Sequence, residues 1–198
     1  PVPTHYAFEN LESGVVRLRS DRLSLSLLAD HSIFLQLKAG ALAAAARIAG
    51  TFFGPRGRFI PASIRKTPDG YRLDSTSRWG YVRPLAEDPG TTDWDRLPHA
   101  SREHVMVSDF NVSVLVRFTG ESAELDIRID GTDGVLVKLE LMLSPDGWLE
   151  TDALRLPGAP GGSAVLKDGT ATYRLGADSV AISGGFAEHN LTTTMRGS

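Results

Sequence analysis

Apolar and polar residues alternate one by one along most of this chain, and short turn-forming clusters interrupt the alternation at regular intervals. Successive side chains of an extended strand point to opposite faces, so the pattern marks strands with one face in a core and the other in water. It is plain in VVRLRS (Val15 to Ser20) and LSLSLLA (Leu23 to Ala29), separated by Asp21-Arg22, and again in SIFLQLKA after Asp30-His31. KTPDGY predicts a hairpin, with Pro68 at the second position of the turn and Gly70 supplying a positive φ angle. YRLDSTSRWGYVRPL continues from it as one strand or a pair.

The second half repeats the pattern. NVSVLVRF and AELDIRI flank Gly120-Glu121-Ser122, and DGTDG (Asp130 to Gly134) leads into VLVKLELML. Ser144-Pro145-Asp146-Gly147 precedes Trp148, and beyond the loop LPGAPGG (Leu156 to Gly162) lie SAVLK, TATYRL and SVAIS. Turns spaced roughly 8–12 residues apart predict an all-β, mainly antiparallel fold: a large two-sheet β-sandwich of the supersandwich kind. Residues 1–198 form one domain of two β halves, 1–85 and 105–198, joined by the irregular segment 86–104, AEDPGTTDWDRLPHASREH when its last residue is included. That segment has room for one short helix after Thr92. ALAAAARIAG (Ala41 to Gly50) is open to two readings, because its alanines favour helix and Gly50 suits a helix end. The strand is preferred; it places Leu42, Ala44, Ala46 and Ile48 on one face with Arg47 opposite.

Composition narrows the function classes. At 198 residues the chain is long enough to bury a full core, and 41% hydrophobic residues supply it. A formal net charge of −3 gives no basic field for nucleic acid, and no apolar run is long enough to cross a membrane as a helix. The absence of cysteine excludes disulfides, thiolate metal sites and a cysteine nucleophile, but does not fix the compartment; a cytoplasmic setting is the default expectation. The chain opens at Pro1 with no signal-peptide pattern after it, so we expect an excised piece of a longer protein.

Candidate chemistry is sparse. No nucleophile elbow, phosphate loop, dinucleotide fingerprint or zincin helix is present. His99 and His104 flank Glu103, but no third ligand is near, so no metal is assigned; DGTDG with Asp126 is read as an ordinary acidic turn. No cofactor is expected. GPRGRF offers Arg56 and Arg58 as an anion grip, for which a solvated hairpin tip is the plainer alternative. In SRWGYVRPL a regular strand sets Trp79, Tyr81 and Arg83 on one face, a platform for sugar rings, unless the two rings serve the core instead. Glu188 and His189 are adjacent, so on a strand they face opposite ways and cannot form a dyad. Gly184-Gly185 before them suggests a bulge or a close backbone approach, which puts the pair at a rim suited to ligand contact or docking. No catalytic residue is assigned.

LKDGTATYRLGADSVAISGGFAEHN, together with FFGPRGRF, YVRPL, the DWDRL and SRE segments and GVLVKLELMLSPDGWLE, resembles the C-terminal β domain of a bacterial family of unknown function whose members carry an N-terminal (α/α) toroid. More distantly the arrangement is similar to polysaccharide lyases of the heparinase II/III type. The resemblance implies an accessory, non-catalytic domain of a carbohydrate-active or lyase-like protein. Such a domain packs against a helical toroid and shapes its substrate cleft, where an oligosaccharide or polysaccharide would bind. Two other expectations stay open. A free-standing carbohydrate-binding module requires an exposed platform at Trp79 and Tyr81; a small sugar-active isomerase or lyase requires a deep cleft holding His104 or His189 beside a carboxylate.

Overall fold

The computed structural model describes residues 3–50, 57–131 and 133–185; the side chains of Trp79 and Met106 are outside that description. Strands dominate it and no helix reaches seven residues, so the chain is an all-β antiparallel sandwich. Fourteen strands are distributed over three sheets among the described residues. The first sheet has six strands: β1 (His5–Asn10), β2 (Val15–Ser20), β3 (Leu23–Leu28), β4 (Leu35–Ala39) and β5 (Leu42–Gly50) run as a meander, and β10 (Val137–Leu143) pairs with β5 at the end. The second sheet is the meander β6 (Ser63–Thr67), β7 (Gly70–Val82), β8 (His104–Phe118) and β9 (Ala123–Gly131). The third holds β12 (Arg155–Pro157), β11 (Trp148–Glu150), β13 (Thr170–Leu175) and β14 (Asp178–Ser183), in that order.

The first two sheets face each other, and alternation decides what lies between them. Val16, Leu18, Leu25, Leu27, Ala46 and Ile48 from the first meet Ile64, Leu73, Val112, Val114 and Val116 from the second. Phe34 and Phe59, both fully buried, meet edge to face at a centroid distance of 5.0 Å and an angle of 83°. Tyr71 adds a polar handle to this core: its ring is buried, and its hydroxyl donates to Glu9 at 2.8 Å, which Lys66 also grips at 2.8 Å.

Local chemistry explains the elements. The alanine run is a strand because Ala46 and Ile48 complete the core face, while its backbone pairs with β4 on one side and β10 on the other. Tertiary burial overrides alanine's helix propensity here. Pro68 and Asp69 turn β6 into β7, and Gly70 takes φ 147° as the turn closes. Asp21 turns β2 into β3 at φ 49°, a conformation aspartate tolerates better than most residues. The 86–104 connection contains, in place of one helix, two single 3₁₀ turns, Trp94–Arg96 and His99–Ser101.

The third sheet is pinned at the β4–β5 turn. Asp178 accepts from the Ala41 amide at 2.7 Å and from Arg22. Ser144 exchanges bonds with Ala43, its amide donating to the Ala43 carbonyl at 2.9 Å and its hydroxyl accepting from the Ala43 amide at 3.2 Å. The buried Tyr173 hydroxyl then donates to the Ser144 carbonyl and accepts from the Gly147 amide.

Two outcomes test this account. Leu73→Ala removes a fully buried side chain from the centre of the core and should cost about 2–5 kcal/mol in denaturant unfolding. Burial, reinforced by the hydrogen bond to the Glu9 carboxylate, pushes the Tyr71 phenol up to about 12. A group whose folded pKa is raised contributes stability that is fully present below its unfolded value near 10 and is lost as pH rises through the folded one. Tyr71→Phe should therefore be less stable than the parent at neutral pH, and the difference should close between pH 10 and 12.

Candidate functional site

β7 and β8 are much longer than their neighbours, and this length mismatch builds the most unusual region of the molecule. β6 pairs with β7 only over Gly70 to Asp74, and β9 pairs with β8 only over Phe110 to Phe118. From the Arg78–Asp109 pair to the Val82–His104 pair the sheet is a two-stranded ribbon. Over the sandwich proper, the outward face of the second sheet is a lattice of ion pairs. Asp74 sits between Arg65 and Arg72, Arg117 reaches Glu124 at 3.1 Å, and Arg78 faces Asp109 at 3.6 Å where the ribbon begins. Burial alone would raise the Asp74 carboxyl, yet hydrogen bonds from Arg65, Arg72 and Ser113 outweigh it and hold the pKa below its ordinary value.

Along the ribbon this face changes character. Gly80 and Val82 follow Arg78, and Val107 and Val105 precede Asp109. Val105 and Val107 are 49% and 50% exposed, and Val82 is exposed beside them. The ladder shifts register between Tyr81 and Val82, which pairs with His104, so Val105 is bulged out of the pairing. The His104 ring lies over Gly80, where a Cβ would collide with it.

The sequence-derived candidates are not brought into one cluster among the described residues. Tyr81 is half-buried and packs against the central core, and Arg83 pairs with Glu103 at 3.2 Å near the ribbon's end. The Trp79 backbone pairs with Ser108. Arg58 bridges to Ala49 beside the core, and its Nε is enclosed with no hydrogen-bond partner among the described residues. Arg56, Glu188 and His189 lie outside the described residues. Gly185, just before the last two, lies against the backbone of Leu166 and Lys167, the close approach its sequence suggested.

A second feature escaped the alternation argument because it has no period. In the 86–104 connection Asp93 accepts from the Asp95 amide and caps the first 3₁₀ turn. His99 then packs on Trp94 with ring centroids 4.3 Å apart and bonds the Trp94 carbonyl through Nε2 at 2.7 Å. The Arg102 guanidinium sits 5.6 Å from the same ring. Trp94 is thus held in place yet remains 65% exposed. A tryptophan inside a polar, proline-containing stretch was the available signal. Trp148 repeats the theme in the third sheet, with Arg155 over its ring at 4.2 Å.

A shallow hollow of about 210 Å³ between β8, β9 and the link to β10 is lined by Asp109, Phe110, Ile129, Asp133 and Val137. Among the described residues no three histidines or carboxylates are grouped to hold a metal ion, and the two histidines of the connection serve Trp94 and Gly80 instead. No family model matches the chain, and no curated protein or solved structure matches it significantly.

Trp94→Ala tests whether the connection is a separate knuckle. It should cost less than about 1 kcal/mol of unfolding free energy, the scale of surface positions. A loss of several kcal/mol in thermal or denaturant unfolding would make Trp94 part of the core.

Proposed function

We propose that this chain is a non-catalytic accessory β domain of a bacterial carbohydrate-active or lyase-like protein, packing against a helical toroid and shaping that partner's substrate cleft. The observation that carries the reading is the ribbon. A two-stranded β ribbon is marginal in water without cover, and this one leaves Val82, Val105 and Val107 exposed, whereas the sheet beyond it carries ion pairs at Asp74 and Arg117. An apolar patch rimmed by charge is the form of a surface used for association. Packed helices offer ridges and grooves that accept such side chains. The toroid itself comes from the sequence resemblance; the ribbon is the surface we propose receives it.

A second reading, a carbohydrate-binding module, is favoured by the fixed and exposed ring of Trp94, with Arg102 against it. Aromatic faces of this kind stack on sugar C–H surfaces. Calorimetric titration separates the two. The chain should release or absorb heat on mixing with an isolated (α/α) toroid domain of the heparinase II/III type, and Val105→Asp with Val107→Asp should weaken that binding by roughly tenfold or more. Unchanged affinity in the double variant would remove the ribbon from the interface. Heat with acidic or neutral oligosaccharides that disappears in Trp94→Ala would replace the docking reading with the binding module.

A further inference from the structure

We infer that β1 is a self-complementary sheet edge whose partner is a second copy of this chain. β1 is an end strand of the six-stranded sheet and, among the described residues, pairs with β2 alone. All of its residues except Tyr6 are exposed, Phe8 by 52%. An open edge presents unpaired backbone donors and acceptors, and proteins ordinarily blunt such edges with lysine, proline or a bulge. β1 contains none of these, and its carboxylate, Glu9, is already neutralised by Lys66.

The phase of the ladder decides which residues of β1 are available. The Asp21 amide donates to the Thr4 carbonyl, and the Ala29 amide donates to the Gly14 carbonyl. The first bond makes Thr4, and with it Tyr6, Phe8 and Asn10, the residues that bond to β2; the second agrees, because it turns the even-numbered residues of β2 toward β3. The N–H and C=O groups of His5, Ala7 and Glu9 therefore point away from the sheet. An antiparallel second copy must set these residues against each other. Centring the pair on Glu9 opposes two carboxylates, and centring it on Phe8 draws in Leu11, which belongs to the turn. Centring it on His5 or Tyr6 draws in Pro3, which has no N–H to give. Centring on Ala7 avoids all of these. His5 then lies opposite Glu9 of the second copy, Ala7 opposite Ala7 and Glu9 opposite His5, so every outward amide and carbonyl of the strand is used. On the other face Tyr6 of each copy meets Phe8 of the other in the closer, non-hydrogen-bonded kind of pair, which suits aromatic contact. Glu9 keeps its bonds from Lys66 and Tyr71 and gains an imidazole, not a carboxylate, as its neighbour. The contact is isologous, so it closes at two copies. It belongs to the first sheet whereas the ribbon extends the second, and it goes beyond the docking reading without depending on it.

Sedimentation equilibrium of the intact chain should give the mass of two 21.3 kDa chains. Ala7→Pro removes an N–H that faces the open edge and spares the bonds to β2, the placement in which an edge strand tolerates proline. It should weaken dimerisation roughly tenfold or more, and far-ultraviolet circular dichroism checks that the monomer stays folded. Phe8→Asp, at an exposed position, should weaken it comparably by breaking the aromatic pair. The chain has no cysteine, so introduced thiols report the register directly. Tyr6→Cys mixed with Phe8→Cys should oxidise to a covalent heterodimer, because directly opposed Cβ atoms lie about 5 Å apart. Either variant alone should cross-link far less, since its two thiols are then diagonal neighbours about 7–8 Å apart, beyond disulfide reach. A monomer at every concentration overturns the proposal. So does a dimer indifferent to both Ala7→Pro and Phe8→Asp, or one that cross-links as readily in the unmixed variants as in the mixture.

Discussion

The pairing of β10 with β5 is the constraint on which the rest of the structure depends. β9 belongs to the second sheet, and the chain then leaves that sheet to complete the first, adding β10 beside the alanine strand over seven residue pairs. Both main sheets thereby draw strands from each side of the 86–104 connection. The first sheet without β10 would expose the β5 backbone along an edge next to the core residues Ala46 and Ile48. Arg47 and Glu140 reinforce the pairing on the outward face. Burial by itself would raise the Glu140 carboxyl, but hydrogen bonds from Arg47 and Lys138 outweigh it and keep its pKa below the ordinary value.

The division of labour between surfaces follows from strand length. Where four strands lie side by side, the outer face of the second sheet is satisfied by its own ion pairs. Exposed pairs of this kind contribute little stability individually, but they leave no apolar area seeking cover. Where only β7 and β8 continue, there is no lateral neighbour to supply a charge partner, and valines take the outward positions. The change from charged lattice to apolar ribbon therefore coincides with the loss of the third and fourth strands.

Much of the sandwich was legible in the sequence because one rule, alternation, governs both local conformation and burial. Val16 and Leu18, Leu25 and Leu27, and the alternate residues Val112, Val114 and Val116 all follow that rule into the core. The alanine strand was harder, since neither face is strongly apolar and the deciding partners are distant in sequence. Hairpin partners such as β6 with β7 were legible from their turns, but pairings between strands distant in sequence were not. Nothing local in VKLELML says that it leaves β9 for β5, and nothing in TATYRL says that it belongs to a third sheet. The candidate site was legible in part: Arg83 lies at the ribbon's end, but Tyr81 faces inward, since the period that made it look like a platform also carries Tyr71 and Leu73 into the core. Trp94 owes its position to a cap, a ring contact and a carbonyl bond within one short loop, which periodicity does not report.

The clasp at Asp178 has a consequence for how the third sheet and the sandwich share their stability. One carboxylate, gripping a turn amide and a guanidinium, joins the small sheet to the corner between β4 and β5, and the Tyr173 hydroxyl joins it to Ser144, itself bonded to Ala43. Two sheets hinged at a single corner can open from each other while the larger one keeps its core intact. The third sheet therefore has the standing of an appended leaf: its sequence is free to drift, lengthen or acquire a binding surface of its own, provided the corner that carries it is left alone.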